Sequence, residues 1–172
     1  MTTAIIGVGN IIFQDEGVGV YASKYLEKNY TFEDDVVIVD GGTLGFDLLG
    51  YLQDYERVII LDTVSLEDEA GSIYNIPAKE LLNMGAYKQT AHEVEVLQML
   101  EICSLHDKVA DVNIIGIIPY DIKTVNISLS TEIKNKFEEF IDVIIDQLDK
   151  YEIKYKKNDD RVSLASIIKI YS

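Results

Sequence analysis

Residues 7–21, GVGNIIFQDEGVGVY, join a short apolar run at residues 3–8 to an amphipathic segment that begins at Val18. The glycines of this stretch permit a tight turn from a strand into a helix, as in phosphate-binding loops. The same turn carries two adjacent carboxylates, Asp15 and Glu16, and carboxylates repel phosphate. The stretch therefore predicts a strand–loop–helix unit of an α/β fold whose loop binds something other than a phosphate.

Apolar runs rich in Ile and Val alternate with helical patterns along the rest of the chain. Such continuous runs are typical of strands that are buried on both faces of a parallel sheet. The alternation predicts a three-layer α/β/α sandwich around a mainly parallel, twisted sheet of about five strands. The predicted strands are residues 3–8, 36–40, 58–62 and 112–118, with 71–76 as a further strand. The predicted helical faces are Val18, Tyr21, Ala22, Tyr25 and Leu26; Leu44, Leu48, Leu49, Leu52 and Tyr55; residues 93–105; and Ile133, Phe137, Phe140, Ile141, Ile144 and Leu148, with Ser130 or Thr131 as the cap of the last helix.

The length of 172 residues suits one domain with a substantial core, and we assign residues 1–150 to a single domain. The C-terminal segment, residues 151–172, contains the polar stretch KYKKNDDRV, which we expect to be flexible. It ends with SLASIIKIYS, which we interpret as a terminal strand that docks on the domain.

The chain is strongly acidic, because 30 acidic against 15 basic residues give a formal net charge of −15. Such a surface repels nucleic acid and anionic lipid, so we expect neither as a partner. The N-terminal residues lack a basic region followed by a long apolar run, which favours a cytoplasmic protein. The one cysteine, Cys103, lies in an apolar helical pattern and is interpreted as a buried packing residue.

Acidic side chains recur at the predicted carboxyl ends of three strands. Asp15 and Glu16 follow the first strand, Asp40 opens the turn DGGTLG after the second, and Asp62 ends the third. Ligands of open α/β sheets bind at this edge. A dinucleotide-binding fingerprint would need a glycine where this chain has Ile12, and no lysine follows in P-loop spacing. A nucleotide-dependent oxidoreductase is therefore the less favoured interpretation.

Clustered carboxylates are stable only when a cation or a proton compensates their charge, which favours a metal site. His92 lies in QTAHEVEV, where Thr90 can cap a helix, whereas His106 falls at the end of that helix and is interpreted as a solvated residue. A glutamate, an aspartate and an imidazole form a ligand set with open coordination positions. From the residues alone, ordinary turn and helix-start roles for these side chains remain open.

Five motifs occur in one order along the chain: GVGNIIFQDEGVGV, VDGGTLGFDLL, VIILDTV, TAHEVEVLQML and VNIIGIIPYDI. Together they resemble the maturation endopeptidases of nickel–iron hydrogenases, over about residues 4–150. The resemblance implies that Glu16, Asp62 and His92 contact a metal and assist catalysis. This chain has Thr90 and Ala91 before the histidine, where the family often has Ser-Pro.

We call the loop after the first predicted strand, which contains Asp15 and Glu16, the first loop, and the turn DGGTLG, residues 40–45, the second loop. Four residues of the second loop and one of the first are interpreted as supporting the site. Asp40 is a candidate for orienting the substrate, and Gly41, Gly42 and Thr43 for contacting its backbone; a plain tight turn is the alternative for this loop. Asp15 is interpreted as a helix N-cap or as an acid that supports the metal contact.

The resemblance implies a cytoplasmic endopeptidase, of the aspartyl type, that removes a C-terminal peptide from a hydrogenase large-subunit precursor. Nickel carried by that precursor would be the recognition element, so the isolated protein need not hold a metal. The sequence offers no Ser-His-Asp set and no cysteine with a paired histidine, which leaves attack by water assisted by the metal or by a carboxylate. The alternative is a chaperone that binds nickel and the precursor without cleaving anything.

Overall fold

The computed structural model describes residues 1–33, 35–83, 91–104 and 110–172, without the side chains of residues 81–83, 91–93, 97 and 104. Its strands are β1 (Thr3–Val8), β2 (Tyr30–Phe32), β3 (Val36–Gly42), β4 (Arg57–Thr63), β5 (Ile73–Pro77), β6 (Asp111–Ile117) and β7 (Tyr155–Lys157). Its helices are α1 (Val18–Asn29), α2 (Leu49–Asp54), α3 (Ala78–Asn83), α4 (Ala91–Ser104), α5 (Thr131–Lys150) and α6 (Leu164–Tyr171), with 3₁₀-helices at Gln14–Gly17 and Gly45–Leu48.

The central sheet has five strands in the order β3–β1–β4–β6–β5. The first four are parallel, and β5 pairs antiparallel with β6 at one side. Thr3 pairs with Val36 on one side and with Arg57 on the other, so the parallel strands start and end together. We call the edge where β1, β3, β4 and β6 end the carboxyl edge, and the opposite one the amino edge. The predicted, mainly parallel sheet of about five strands is confirmed.

Helices cover both faces of this sheet, which confirms the three-layer sandwich. The helical pattern at the start of the chain is confirmed, because every residue of the predicted apolar face of α1 is buried. Helix α5 begins after Ser130, whose Oγ accepts a hydrogen bond from the Ile133 N–H at 3.3 Å, as the predicted cap requires. In the predicted second helix, Leu48 and Leu52 are buried, but Leu44 is 50% exposed because it precedes the 3₁₀-helix in a turn.

Two apolar cores lie on the two sides of the sheet. Residues of α1, α5 and α6 pack on one face, and residues of α2, α3 and α4 pack on the other. Cys103 belongs to the second core with no exposed surface, so its interpretation as a packing residue is confirmed. None of the helices within the described ranges is both long and apolar enough to cross a membrane.

The C-terminal segment packs onto the rest of the chain. Its strand β7 pairs antiparallel with β2, and Asn29 holds the approach to α6 through bonds to both the N–H and the carbonyl of Val162, at 2.7 and 3.0 Å. The predicted terminal strand in SLASIIKIYS is wrong, because these residues form α6, which Ser163 caps. The larger apolar side chains of α6 recur with the period of a helix, although isoleucine also favours strands. They are Leu164, Ile167, Ile168 and Tyr171.

Candidate functional site at the carboxyl edge

The first loop turns sharply at Gly9, which has a φ of 137°. A Cβ on Gly9 would lie 1.8 Å from the Glu16 carbonyl oxygen, so only glycine fits beneath the returning chain. The Gly9 N–H donates to the Gly42 carbonyl at 2.9 Å, which ties the first loop to the second. Glu16 is half-buried in the 3₁₀-helix Gln14–Gly17, and that helix packs against β4.

Asp15 has no exposed surface, and its carboxylate accepts four hydrogen bonds. The Tyr120 N–H, the Asp121 N–H and the Ser130 hydroxyl donate to Oδ2 at 3.1, 2.8 and 2.8 Å, and the Ser130 N–H donates to Oδ1 at 2.6 Å. The expectation that Asp15 caps a helix is wrong, because α1 begins after Gly17 without a side-chain cap. Asp15 instead fastens the segment that follows β6 to the loop that carries Glu16.

The backbone beside these acids is constrained as well. Gln14 has a φ of 47°, in the left-handed region that residues other than glycine rarely adopt. A β-bridge between Phe13 and Asn126, with an Asn126 N–H to Ile12 carbonyl bond of 2.9 Å, holds the loop from the other side. Backbone strain of this kind persists only where the surrounding contacts enforce it. Here those contacts hold the backbone of the two residues that precede Glu16.

Asp62 is the second-to-last residue of β4 and is 2% exposed. Its Oδ1 accepts a hydrogen bond from the Thr63 N–H at 2.7 Å. Since the 3₁₀-helix that carries Glu16 packs against β4, the structure brings together the elements of these two predicted site residues. Both lie at the carboxyl edge, as their positions after β1 and at the end of β4 predict.

His92 is the second residue of α4, and its side chain lies outside the described part of the structure. The first turns of α4 lie beside the second loop, because a Cβ on Gly45 would lie 2.8 Å from the Glu95 Oε2. The convergence of His92 with Glu16 and Asp62 stays a prediction. Among the side chains that are described, which exclude His92, no group of three or more His, Cys, Asp or Glu is placed to hold a metal ion. His106 and Thr90 lie outside the described residues.

The second loop and the first loop line a common pocket of about 160 Å³. Asp40 is exposed at its rim, and its Oδ2 accepts a hydrogen bond from the Tyr171 hydroxyl at 2.9 Å. Gly42 has a φ of 44°, whereas a Cβ on Gly41 would lie 2.8 Å from the Ile6 Cγ2, so packing on β1 requires that glycine. The pocket is lined by Gly9, Asn10, Ile11, Val20, Asp40, Gly42, Thr43 and Tyr171.

Tyr171 is the site residue that the sequence interpretation missed. It is separated from Asp40 by 131 positions and lies in the segment predicted as a strand. Burial, and then the hydrogen bond to Asp40, raise the pKa of the Tyr171 hydroxyl above its ordinary value of 10.0. The hydroxyl is therefore protonated at neutral pH and acts as a donor.

Comparisons with known proteins agree on one family. A family model described as hydrogenase maturation protease matches residues 20–147, which include Asp40, Asp62 and His92. The hydrogenase 2 maturation protease of Escherichia coli strain K12 is 29% identical over 149 residues, 84% of this chain and 89% of that protein. The hydrogenase expression/formation protein HupD of Bradyrhizobium diazoefficiens is 28% identical over 141 residues, 81% of this chain and 73% of that protein. The solved structure of the hydrogenase maturating endopeptidase HybD from E. coli matches with a TM-score of 0.85 and 26% identity, covering 93% of this chain and 99% of that one.

Proposed function

We propose, from the premise that this chain belongs to the hydrogenase maturation protease family and is a peptidase, that its substrate is the large-subunit precursor of a nickel–iron hydrogenase. The reaction removes a C-terminal peptide from that precursor in the cytoplasm. The observation that carries this proposal is the carboxyl edge of the sheet. There the half-buried Glu16 and the buried Asp62 stand on elements that pack together, and the start of α4 lies beside Gly45 of the neighbouring loop.

Nickel enters as part of the substrate. Glu16, Asp62 and His92 supply carboxylate and imidazole ligands, which are harder than thiolates and leave coordination positions open. Such a set suits a metal that is already held by other ligands in the precursor. These contacts form only when nickel is present, so the site distinguishes the loaded precursor from the empty one by differential affinity.

The chemistry needs a water molecule rather than a covalent nucleophile from this chain. Cys103 has no exposed surface, and burial raises the pKa of its thiol, so it is neither accessible nor ionised. Water activated by the nickel or by a carboxylate attacks the scissile carbonyl, and Asp40 orients the peptide through its backbone.

The surface around the carboxyl edge supports a folded protein as substrate. Exposed large apolar side chains gather there, on the two loops, on the 3₁₀-helix Gly45–Leu48, at the start of α4 and on the segment that Asp15 fastens. Exposed large apolar side chains that cluster on one part of a surface are typical of sites that contact another protein. They are Ile12, Leu44, Phe46, Val94, Tyr120, Val125 and Ile127.

Intact-mass measurement tests the proposal. The purified protein is incubated with the nickel-loaded large-subunit precursor that the same genome encodes, with a reaction lacking the protein as control. We expect the precursor to lose the mass of one C-terminal peptide while the rest of its chain stays intact. An unchanged mass together with a stable complex would instead identify a non-cleaving chaperone, and an unchanged mass without a complex would reject the substrate.

A further inference from the structure

We propose that Tyr171 is a positioning residue that holds the Asp40 carboxylate in the orientation in which it accepts a backbone N–H of the substrate peptide. This inference rests on the proposed function, since it assigns a partner to the pocket beside the cleavage site. It extends the site to α6, which lies outside the range matched by the family model, residues 20–147.

The two oxygens of Asp40 have different surroundings. Oδ2 accepts the Tyr171 hydroxyl at 2.9 Å. Oδ1 points toward the turn, 3.7 Å from the position that a Cβ on Gly42 would take, and within the described residues it has no hydrogen-bond donor. An exposed carboxylate that is bound at one oxygen is fixed in rotation, and its other oxygen is left for a donor on a ligand.

The anchoring of α6 makes Tyr171 suited to this role. Ile167 and Ile168 are buried in the core beside α1, and the Tyr171 ring packs edge-on against Tyr21 with centroids 5.7 Å apart. Asn29 fixes the chain just before α6 through its two bonds to Val162. The hydroxyl therefore reaches Asp40 from a helix that is held at both ends, and the rotamer of Tyr171 is already restricted before substrate binds.

The pocket suits an extended peptide more than a large side chain. Its volume of about 160 Å³ is small, and its walls combine the apolar Ile11 and Val20 with the Asp40 carboxylate at the rim. Gly9 and Gly42 line the same pocket, and neither has a side chain to separate its backbone from a ligand. A peptide unit that passes over these glycines can present an N–H to Asp40 Oδ1.

The chain contains a matched control for this hydrogen bond. The Tyr155 hydroxyl donates to Asp149 Oδ1 at 2.9 Å, on β7 next to the amino edge. Both are tyrosine–aspartate bonds of the same length, and burial raises the pKa of Tyr155 to about 12. Tyr155→Phe removes the same chemical group far from the pocket and is expected to leave cleavage unchanged.

The test is a steady-state comparison of Tyr171→Phe, Tyr155→Phe and the wild type on the nickel-loaded precursor. Tyr171→Phe retains the ring contact with Tyr21, so the fold is kept. Releasing the carboxylate raises KM by about threefold to tenfold with kcat within about twofold, the cost of ordering one free side chain on binding. In an Asp40→Ala background, Tyr171→Phe should have no further effect, because Tyr171 acts through Asp40.

The outcomes separate the two claims. Cleavage by the wild type with an unchanged KM for Tyr171→Phe overturns the inference and leaves the proposed function in place. An equal effect of Tyr171→Phe with and without Asp40 also overturns it, because the hydroxyl would then act independently. If the wild type does not cleave the precursor, the proposed function fails, and this inference fails with it.

Discussion

Near the amino edge of the sheet, polar side chains form hydrogen bonds with one another, whereas at the carboxyl edge polar side chains line a pocket. Near the amino edge, Tyr151 donates to Asn113 at 2.8 Å, Asn113 to Asn75 at 2.7 Å, and Asn75 to Gln147 at 2.6 Å. Arg57 covers the Tyr151 ring at 4.3 Å and donates to its carbonyl at 3.0 Å. These side chains satisfy one another, so this hydrogen-bond network is not suited to binding a ligand.

The carboxyl edge has the opposite character. Most of the positive φ angles of the described residues lie there, in the loops that follow the strands, whereas Glu152 after α5 is at the amino edge. Asp15 and Asp62 are buried there while apolar side chains are exposed, which reverses the usual distribution. The closed polar network and the proposed site therefore occupy opposite edges of one sheet, and the loops of the carboxyl edge depart from local preferences. The positive φ angles at the carboxyl edge belong to Gly9, Gln14, Gly42, Gly45 and Gly71.

The largest effect on the cleavage rate is expected for a substitution at the carboxyl edge that leaves the fold intact. Glu16→Gln keeps the shape of the side chain but removes the charge that we propose contacts the metal, so cleavage should fall by about 100-fold or more. The control is Glu56→Gln at the amino edge, where the carboxylate accepts from the exposed Thr2 N–H at 2.9 Å and lies 4.0 Å from the N-terminal ammonium of Met1. Equal rates for both variants would show that the carboxyl edge is not the active one.

A stability measurement tests how strongly the hydrogen bonds of Asp15 stabilise the loops of the carboxyl edge. Asp15→Asn leaves one acceptor oxygen for four buried or partly buried donors, so the free energy of unfolding should decrease by about 2–4 kcal/mol. Asp121 is the matched residue with exposed hydrogen bonds: it is half-buried, and its carboxylate accepts from the Lys123 N–H, the Thr124 N–H and the Thr124 hydroxyl. Asp121→Asn should cost less than about 1 kcal/mol, and chemical denaturation of both variants measures the difference. Similar losses would mean that burial of Asp15 contributes little.

The exposed apolar side chains give a smaller effect, on substrate binding. Val125 is 71% exposed at the carboxyl edge, and Val125→Asp should raise KM for the full precursor by about fivefold to twentyfold. Ile102, which is 37% exposed near the end of α4, provides the comparison variant Ile102→Asp, with little change expected in KM. A rise of KM in both variants would point to general damage rather than to a contact surface.

The smallest effect is expected in the core. Cys103→Ser places a hydroxyl where the thiol is buried, which should lower the free energy of unfolding by about 1–2 kcal/mol without changing the cleavage rate. Chemical denaturation measures the free energy of unfolding, and rates of precursor cleavage at a temperature well below unfolding measure the activity. Loss of cleavage by a folded Cys103→Ser protein would return the cysteine to the list of possible nucleophiles.

The sheet could be predicted from the sequence because its strands are apolar on both faces, and such runs leave few alternatives. Residues 3–8 match β1 at both ends, and the predicted face of α1 is buried throughout. The terminal helix α6 was missed because Ile and Tyr also favour strands, and its period becomes decisive only when the chain can pack on α1.

The site was only partly predictable for a similar reason. The positions of Glu16 and Asp62 follow from strand ends, which a parallel sheet brings to one edge. The four hydrogen bonds of Asp15 and the bond from Tyr171 to Asp40 join residues more than 100 positions apart. No local pattern encodes such long-range pairs, since each depends on how separate elements dock.

The most direct measurement of the central claim compares nickel-loaded with nickel-free precursor. Initial rates of C-terminal peptide release are followed by intact mass for the wild type and for His92→Ala, with circular dichroism as the check on folding. We predict rapid cleavage of the loaded precursor by the wild type, negligible cleavage of the empty precursor, and loss of cleavage in a folded His92→Ala protein. Equal rates on both precursors would contradict the account, because Glu16, Asp62 and His92 would then not recognise the metal.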